Sequence, residues 1–190
     1  MPLTVTLELS DPELEHFRSL MHRARDRADQ RTPREIAAAA SAEIVRLRSV
    51  ARSPFVARRI DRVGRLIAMV QDDEWQLPEP ERKRVLDGLA YVADAQDLVP
   101  DNVPLLGLVD DAIMLELVLR DLQHELDGYE EFDAYRRDEA PHRDKPGTHR
   151  PVSREDWLDS KRQALHDRIR ERRERDLARH GEAFQLITRF

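Results

Sequence analysis

Apolar residues recur at alternating steps of three and four along most of this 190-residue chain, in blocks separated by Ser/Thr–Pro and Ser–Asp–Pro signals. That period matches the α-helical turn, so each block presents one apolar stripe to a shared core. Leu14, Phe17, Met21, Ala24 and Ala28 form the first stripe, running to about Asp29 behind a Ser10–Glu13 capping box. Thr32-Pro33-Arg34-Glu35 repeats the start signal, and Ile36, Ala40, Ile44, Leu47 and Ala51 follow it. Ser53-Pro54 opens a third helix with Val56, Ile60, Val63, Ile67 and Val70 inward, widened by Phe55 and Leu66; it should stop near Trp75, before Pro78 and Pro80. Val85, Leu86, Leu89 and Val92 mark a fourth, from about Glu79 to Ala93.

A fifth helix is expected to open at Asp110-Asp111, apolar nearly all round to Leu119, and to continue past Gly128 through Tyr129, Phe132 and Tyr135. Pro141, Pro146, Gly147 and Pro151 make 140–152 a linker. Ser153 caps a sixth helix to about His180, whose apolar stripe is only Trp157, Leu158, Leu165 and Ile169. Its almost wholly charged stretch from Arg170 to Asp176 is expected to project into solvent on pairs such as Arg170–Glu174 and Arg172–Asp176. Thr4 to Leu9 and Phe184 to Phe190 have strand composition, and the two termini are expected to meet in a small β-ribbon, within one chain or across a homodimer. The expectation is therefore a mainly α multi-helix bundle over 1–139, a linker at 140–152, and a long charged C-terminal helix with a strand-like tail over 153–190. With only 5% aromatic residues, the core should be built from Leu, Ile, Val and Ala.

The absence of cysteine excludes disulfides, thiolate catalysis and Cys-based metal centres. No apolar run reaches the roughly 18 residues of a membrane span, and the start lacks a signal-peptide pattern. A bacterial-type cytoplasmic protein fits this composition. The net charge of −6 conceals a basic block over 16–71, at +8, and an acidic block over 72–140, at −14. Either the blocks pack together or face solvent, or the first offers Arg58, Arg59 and Arg62 to an anionic partner such as nucleic acid. The initial strand–helix–helix order invites comparison with ribbon-helix-helix repressors, but the first helix is several residues too long.

One stretch has specific spacing. Tyr91 is followed by Asp94, by Asp97-Leu98-Val99-Pro100-Asp101, by Pro104 and Gly107, and by Asp110-Asp111 before an apolar helix. This segment, from Tyr91 to Arg120, resembles the YkvA-like family, a bacterial domain of unknown function, within a domain of about 79–137. The resemblance implies no established reaction, and it leaves peripheral membrane contact open by analogy. Read physically, Asp97 and Asp101 can bond backbone N–H groups around a turn stiffened by Pro100 and Pro104, Gly107 permits a positive φ, and Asp110 can cap the next helix. That makes a rigid helix–loop–helix corner. The alternative is a carboxylate cluster of Asp94, Asp97, Asp101, Asp110 and Asp111 for a divalent cation such as Mg²⁺ or Ca²⁺. The EF-hand pattern is absent, no phosphate loop exists, and His124-Glu125 has no second His at zinc-protease spacing.

The leading functional reading is a non-enzymatic scaffold or adaptor that binds a protein partner and needs no cofactor. Nucleic-acid binding through the N-terminal arginines is the second. A metal-dependent hydrolase using the Asp cluster is the third, and it lacks an evident His or Lys base.

Overall fold

The computed structural model describes residues 10–51, 53–93, 109–139 and 154–180. Seven helices occupy them: α1 (Asp11–Ala28), α2 (Pro33–Val50), α3 (Pro54–Gln71), α4 (Glu79–Ala93), α5 (Val109–Asp121), α6 (Gln123–Glu139) and α7 (Arg154–His180). No strand occurs among the described residues, and both segments expected to form the ribbon lie outside them, as does the linker. No described helix is long and apolar enough to cross a membrane.

The helix starts follow local chemistry. At α2 the Glu35 backbone N–H donates to Thr32 Oγ1 at 3.3 Å, and Glu35 Oε2 accepts the Thr32 N–H at 2.7 Å, a complete capping box with Pro33 in the first turn. At α3 the Ser53 hydroxyl accepts the Phe55 N–H at 3.2 Å. The expected fifth helix is broken once, at Leu122, giving α5 and α6. Hydrogen bonds from Leu122 N to Val118 O (3.1 Å) and from Leu126 N to Leu122 O (3.0 Å) carry the chain through the break.

The stripes assemble around α3, which packs on α2, α4, α5 and α6, while α4 also lies against α1 and α2. Phe17, Met21 and Ala24 of α1, Ile36, Ala40 and Leu47 of α2, Ile60, Val63 and Leu66 of α3, and Val85, Leu89 and Val92 of α4 are all buried. The apolar first half of α5 is inside through Met114, Leu115 and Val118. Phe55 is the exception on α3: it does not widen the apolar face but stands exposed.

Two expectations about the core need correction. Trp75 is not a helix-end residue. The third helix stops at Gln71, and Trp75 sits fully buried on the α3–α4 connection, with Phe132 at 5.0 Å, Tyr129 at 5.8 Å and His166 at 4.4 Å between ring centroids. An aromatic knot thus sits within a core that is otherwise mainly aliphatic, as the composition implied. It forms because the Asp72 carboxylate builds the turn, Oδ1 accepting the N–H groups of Glu74 (3.0 Å) and Trp75 (3.2 Å).

The second correction concerns α7. Its charged half does not project into solvent but packs antiparallel along α6 nearly to its end. Tyr135 stacks on Trp157 at 4.4 Å, Lys161 and Arg168 bond Glu131 at 2.6 and 2.7 Å, Arg173 approaches Glu125 at 3.9 Å, and Asp176 meets His124 at 2.7 Å. Arg170 pairs with Asp167 rather than with Glu174. Close approach is possible because Gly128 faces Ile169: a Cβ there would lie 2.6 Å from Ile169 Cδ1 and 3.0 Å from Cγ1.

A pair of substitutions isolates that approach. Gly64 and Gly128 both lie inside helices, so Ala gains about 1 kcal/mol of helix propensity at either position. A Cβ on Gly64 meets Ile44 Cδ1 at an ordinary 3.8 Å. Gly64→Ala should raise the melting temperature, whereas Gly128→Ala should lower it or leave it unchanged, because Ile169 must move; thermal denaturation followed by circular dichroism checks the difference.

Candidate functional site

The residues singled out by sequence separate into three groups. Asp94, Asp97, Asp101, Pro100, Pro104 and Gly107 lie outside the described residues, so the corner and its proposed cation site lie there too. Asp110 is in the first turn of α5. Asp111 is buried, with Arg46 of α2 at 3.7 Å. Among the described residues no three His, Asp or Glu side chains gather as a metal-binding group.

The three arginines are also dispersed in role. Arg58 is exposed. Arg59 donates to Glu116 at 2.7 Å and covers the Phe55 ring, its guanidinium carbon 3.3 Å from the centroid. Arg62 faces Asp127 at 3.6 Å. The basic block thus packs on the acidic one, and Arg65 continues the pattern by bonding Asp133 at 2.6 Å. Asp133 shows how these pairs settle charge: burial alone would raise its pKa, but Arg65 and Arg136 more than offset that and hold it below the usual carboxylate range.

Sequence reading did not find the most unusual polar site, which lies where α4, the α5–α6 break and α7 meet. Glu125 is fully buried there. Arg84 of α4 places Nε 3.3 Å from Glu125 Oε1 and Nη2 3.4 Å from Asp121 Oδ2, and also donates to the Asp121 carbonyl at 3.2 Å. Arg173 approaches Glu81 at 3.7 Å and Glu125 at 3.9 Å, and burial lowers its pKa ahead of the nearby Arg84 charge. Glu125 Oε2, Arg84 Nη1 and Arg173 Nε make no hydrogen bond. A signal for this site was present in spacing: Glu125 falls on the stripe of Leu122, Leu126, Tyr129 and Phe132, and Arg173 continues that of Leu158, Leu165 and Ile169. The network joins four helices, through Glu81 and Arg84 of α4, Asp121 of α5, Glu125 of α6 and Arg173 of α7.

A second set surrounds Trp75. Asp72 Oδ2 accepts the Tyr129 hydroxyl at 2.9 Å and faces Arg136 at 2.7 Å; burial and that bond to Asp72 push the phenol up to about 12. His166 packs edge-on against the indole with Nε2 unbonded, and burial, reinforced by Arg162 and Arg170, pushes it down to about 4.

Two surface hollows are lined entirely by described residues. One, of about 430 Å³, has a floor of Ala37, Val70 and Leu77 and a rim that includes Arg34, Asp73 and Gln76; no His, Ser or Cys lines it. Gln76 there has φ 48°, a left-handed conformation that costs a non-glycine residue energy. The other, of about 290 Å³, lies between the start of α6 and the end of α7. No family model, curated protein or solved structure matches the chain.

Both buried sites give measurable expectations. His166 should be neutral in the native state and titrate near 6.5 when unfolded, so the unfolded chain binds the extra proton first. Stability should therefore be full above about pH 6.5, fall as pH drops toward 4, and level off below it as far as this group is concerned, a loss on the order of 3 kcal/mol. Urea unfolding across that range should show a shallower decline in His166→Phe. In the network, Arg84→Met strands Glu125 as a buried, poorly paired charge and should cost about 3–5 kcal/mol in the same assay.

Proposed function

We propose that the protein is a non-catalytic helical scaffold that docks a protein partner at the turn between α2 and α3. The observation that carries this reading is the exposure of Val45 (67%), Val50 (40%) and Phe55 (48%) around that turn, where the other large apolar side chains among the described residues are buried or partly covered. Scattered exposed apolar residues are ordinary, but here they cluster along a short stretch of chain and include an aromatic ring. Arg59 holds that ring from one side, and Glu116 holds Arg59, so Phe55 is fixed before any partner arrives. Aromatic residues and arginine are both enriched at protein interfaces, and prior ordering reduces the entropy lost on binding. An apolar partner surface fits this corner.

The YkvA-like assignment of Tyr91 to Arg120 belongs to the same proposal. It is in keeping with Tyr91 buried on α4 and with α5 turning its apolar first half inward after the corner. The nucleic-acid reading is weaker, since Arg59 and Arg62 already face Glu116 and Asp127.

The test is affinity capture with the full chain as bait, compared with Val45→Glu and Phe55→Ala baits. One stoichiometric protein should be retained by the wild type and lost from both variants, whose melting temperatures should stay within a few degrees because the altered side chains are exposed. An unchanged captured set would remove this reading.

A further inference from the structure

We propose that the groove between the start of α6 and the end of α7 binds a compact phosphoryl anion of the diphosphate class. Arg172, Arg175 and Arg179 line one wall at helical steps of three and four, so their guanidinium groups share one face over about 10 Å. Among the described residues Arg172 and Arg179 have no carboxylate at salt-bridge distance, and Arg175 bonds only through Nε, to the Glu171 carbonyl at 3.2 Å. By contrast, most arginines of the helical body, including Arg59, Arg65, Arg84 and Arg136, are held by acids.

The two carboxylates that face the groove are already engaged. Asp127 faces Arg62 at 3.6 Å, and Asp176 holds His124 at 2.7 Å. The His124–Asp176 bond ties the opposite wall to α7 and fixes the imidazole over the groove. Three guanidiniums with no salt bridge among the described residues, each able to grip two phosphoryl oxygens, therefore dominate the local field. A volume of about 290 Å³ suits a small ligand. A long polyanion fits poorly: exposed Glu171 and Glu174 share the same helix end, and the chain carries −6 overall. Free diphosphate and the diphosphate of a nucleotide offer the same chemistry to these residues.

The experiment is isothermal titration of the full chain, without divalent metal and at low salt, with inorganic pyrophosphate, with ADP, and with sulfate at matched ionic strength. Pyrophosphate should bind saturably at one site with a Kd of about 1 mM or tighter. The triple variant Arg172→Gln/Arg175→Gln/Arg179→Gln should weaken it about tenfold or more, while Arg58→Gln, exposed and outside the groove, should not. Arg175→Gln alone should weaken it measurably, which keeps the test decisive if the triple variant unfolds. ADP binding as tightly as pyrophosphate, or tighter, supports the site and identifies a nucleotide as its source; pyrophosphate binding with ADP excluded supports it and identifies the free anion. Heat that follows sulfate equally, no saturation, or affinity unchanged in the arginine variants would overturn the proposal.

Discussion

Everything in this helical body depends on how Asp72 spends its two oxygens. One turns the chain after α3 by accepting two backbone N–H groups; the other holds Tyr129 and Arg136 of α6. The turn delivers Trp75 into the space that α6 and α7 close. Around it, Arg162 of α7 donates to the Glu74 carbonyl at 2.8 Å and Arg82 of α4 to the Val70 carbonyl at 3.0 Å. Side chains from two helices thus satisfy backbone acceptors in the connection and in the last turn of α3 before it. The buried indole N–H lacks an acceptor, a cost set against the large apolar area Trp75 removes from water.

Charge decides which helices sit together. The arginines of α2 and α3 meet acids of α5 and α6 through Arg46–Asp111, Arg59–Glu116, Arg62–Asp127 and Arg65–Asp133. Only Arg62–Asp127 is exposed on both sides and adds little stability, while the other three have at least one partner largely covered; like charges at these places would repel, so the segregated basic and acidic blocks select neighbours. The buried Arg84–Glu125 contact is different in kind. Its charges have left water, and good geometry only returns what desolvation took.

Helix positions were legible because apolar spacing and capping chemistry are local. The Thr32–Glu35 box and the Ser53 cap sit where the residues indicated, and α4 spans the expected residues. The break at Leu122 carried no signal, since neither Gly nor Pro marks it. Trp75 was misplaced because a turn residue's burial is decided by helices distant in sequence. The charged half of α7 was misjudged for a related reason: composition reveals how polar a helix is, but Arg173 and Asp176 find their partners on α4 and α6. The acids facing Arg59 and Arg62 could not be read from local spacing, because they come from a block more than fifty residues away.

The contact between Gly128 and Ile169 has a consequence for alignment. An apolar seam as sparse as that of α7 is nearly indifferent to sliding, for one turn along, about 5.4 Å, another aliphatic group would cover much the same ground. Here the seam is keyed. The notch left by a missing Cβ accepts one branched side chain, and the Arg173 charge comes to rest beside Glu81 and Glu125 only at that setting. Displaced by a turn, the helix would press a methyl group onto buried carboxylates and leave the notch empty. The last helix therefore has a single seat, and a segment rich in solvent-loving residues docks with the definition of a lock bolt.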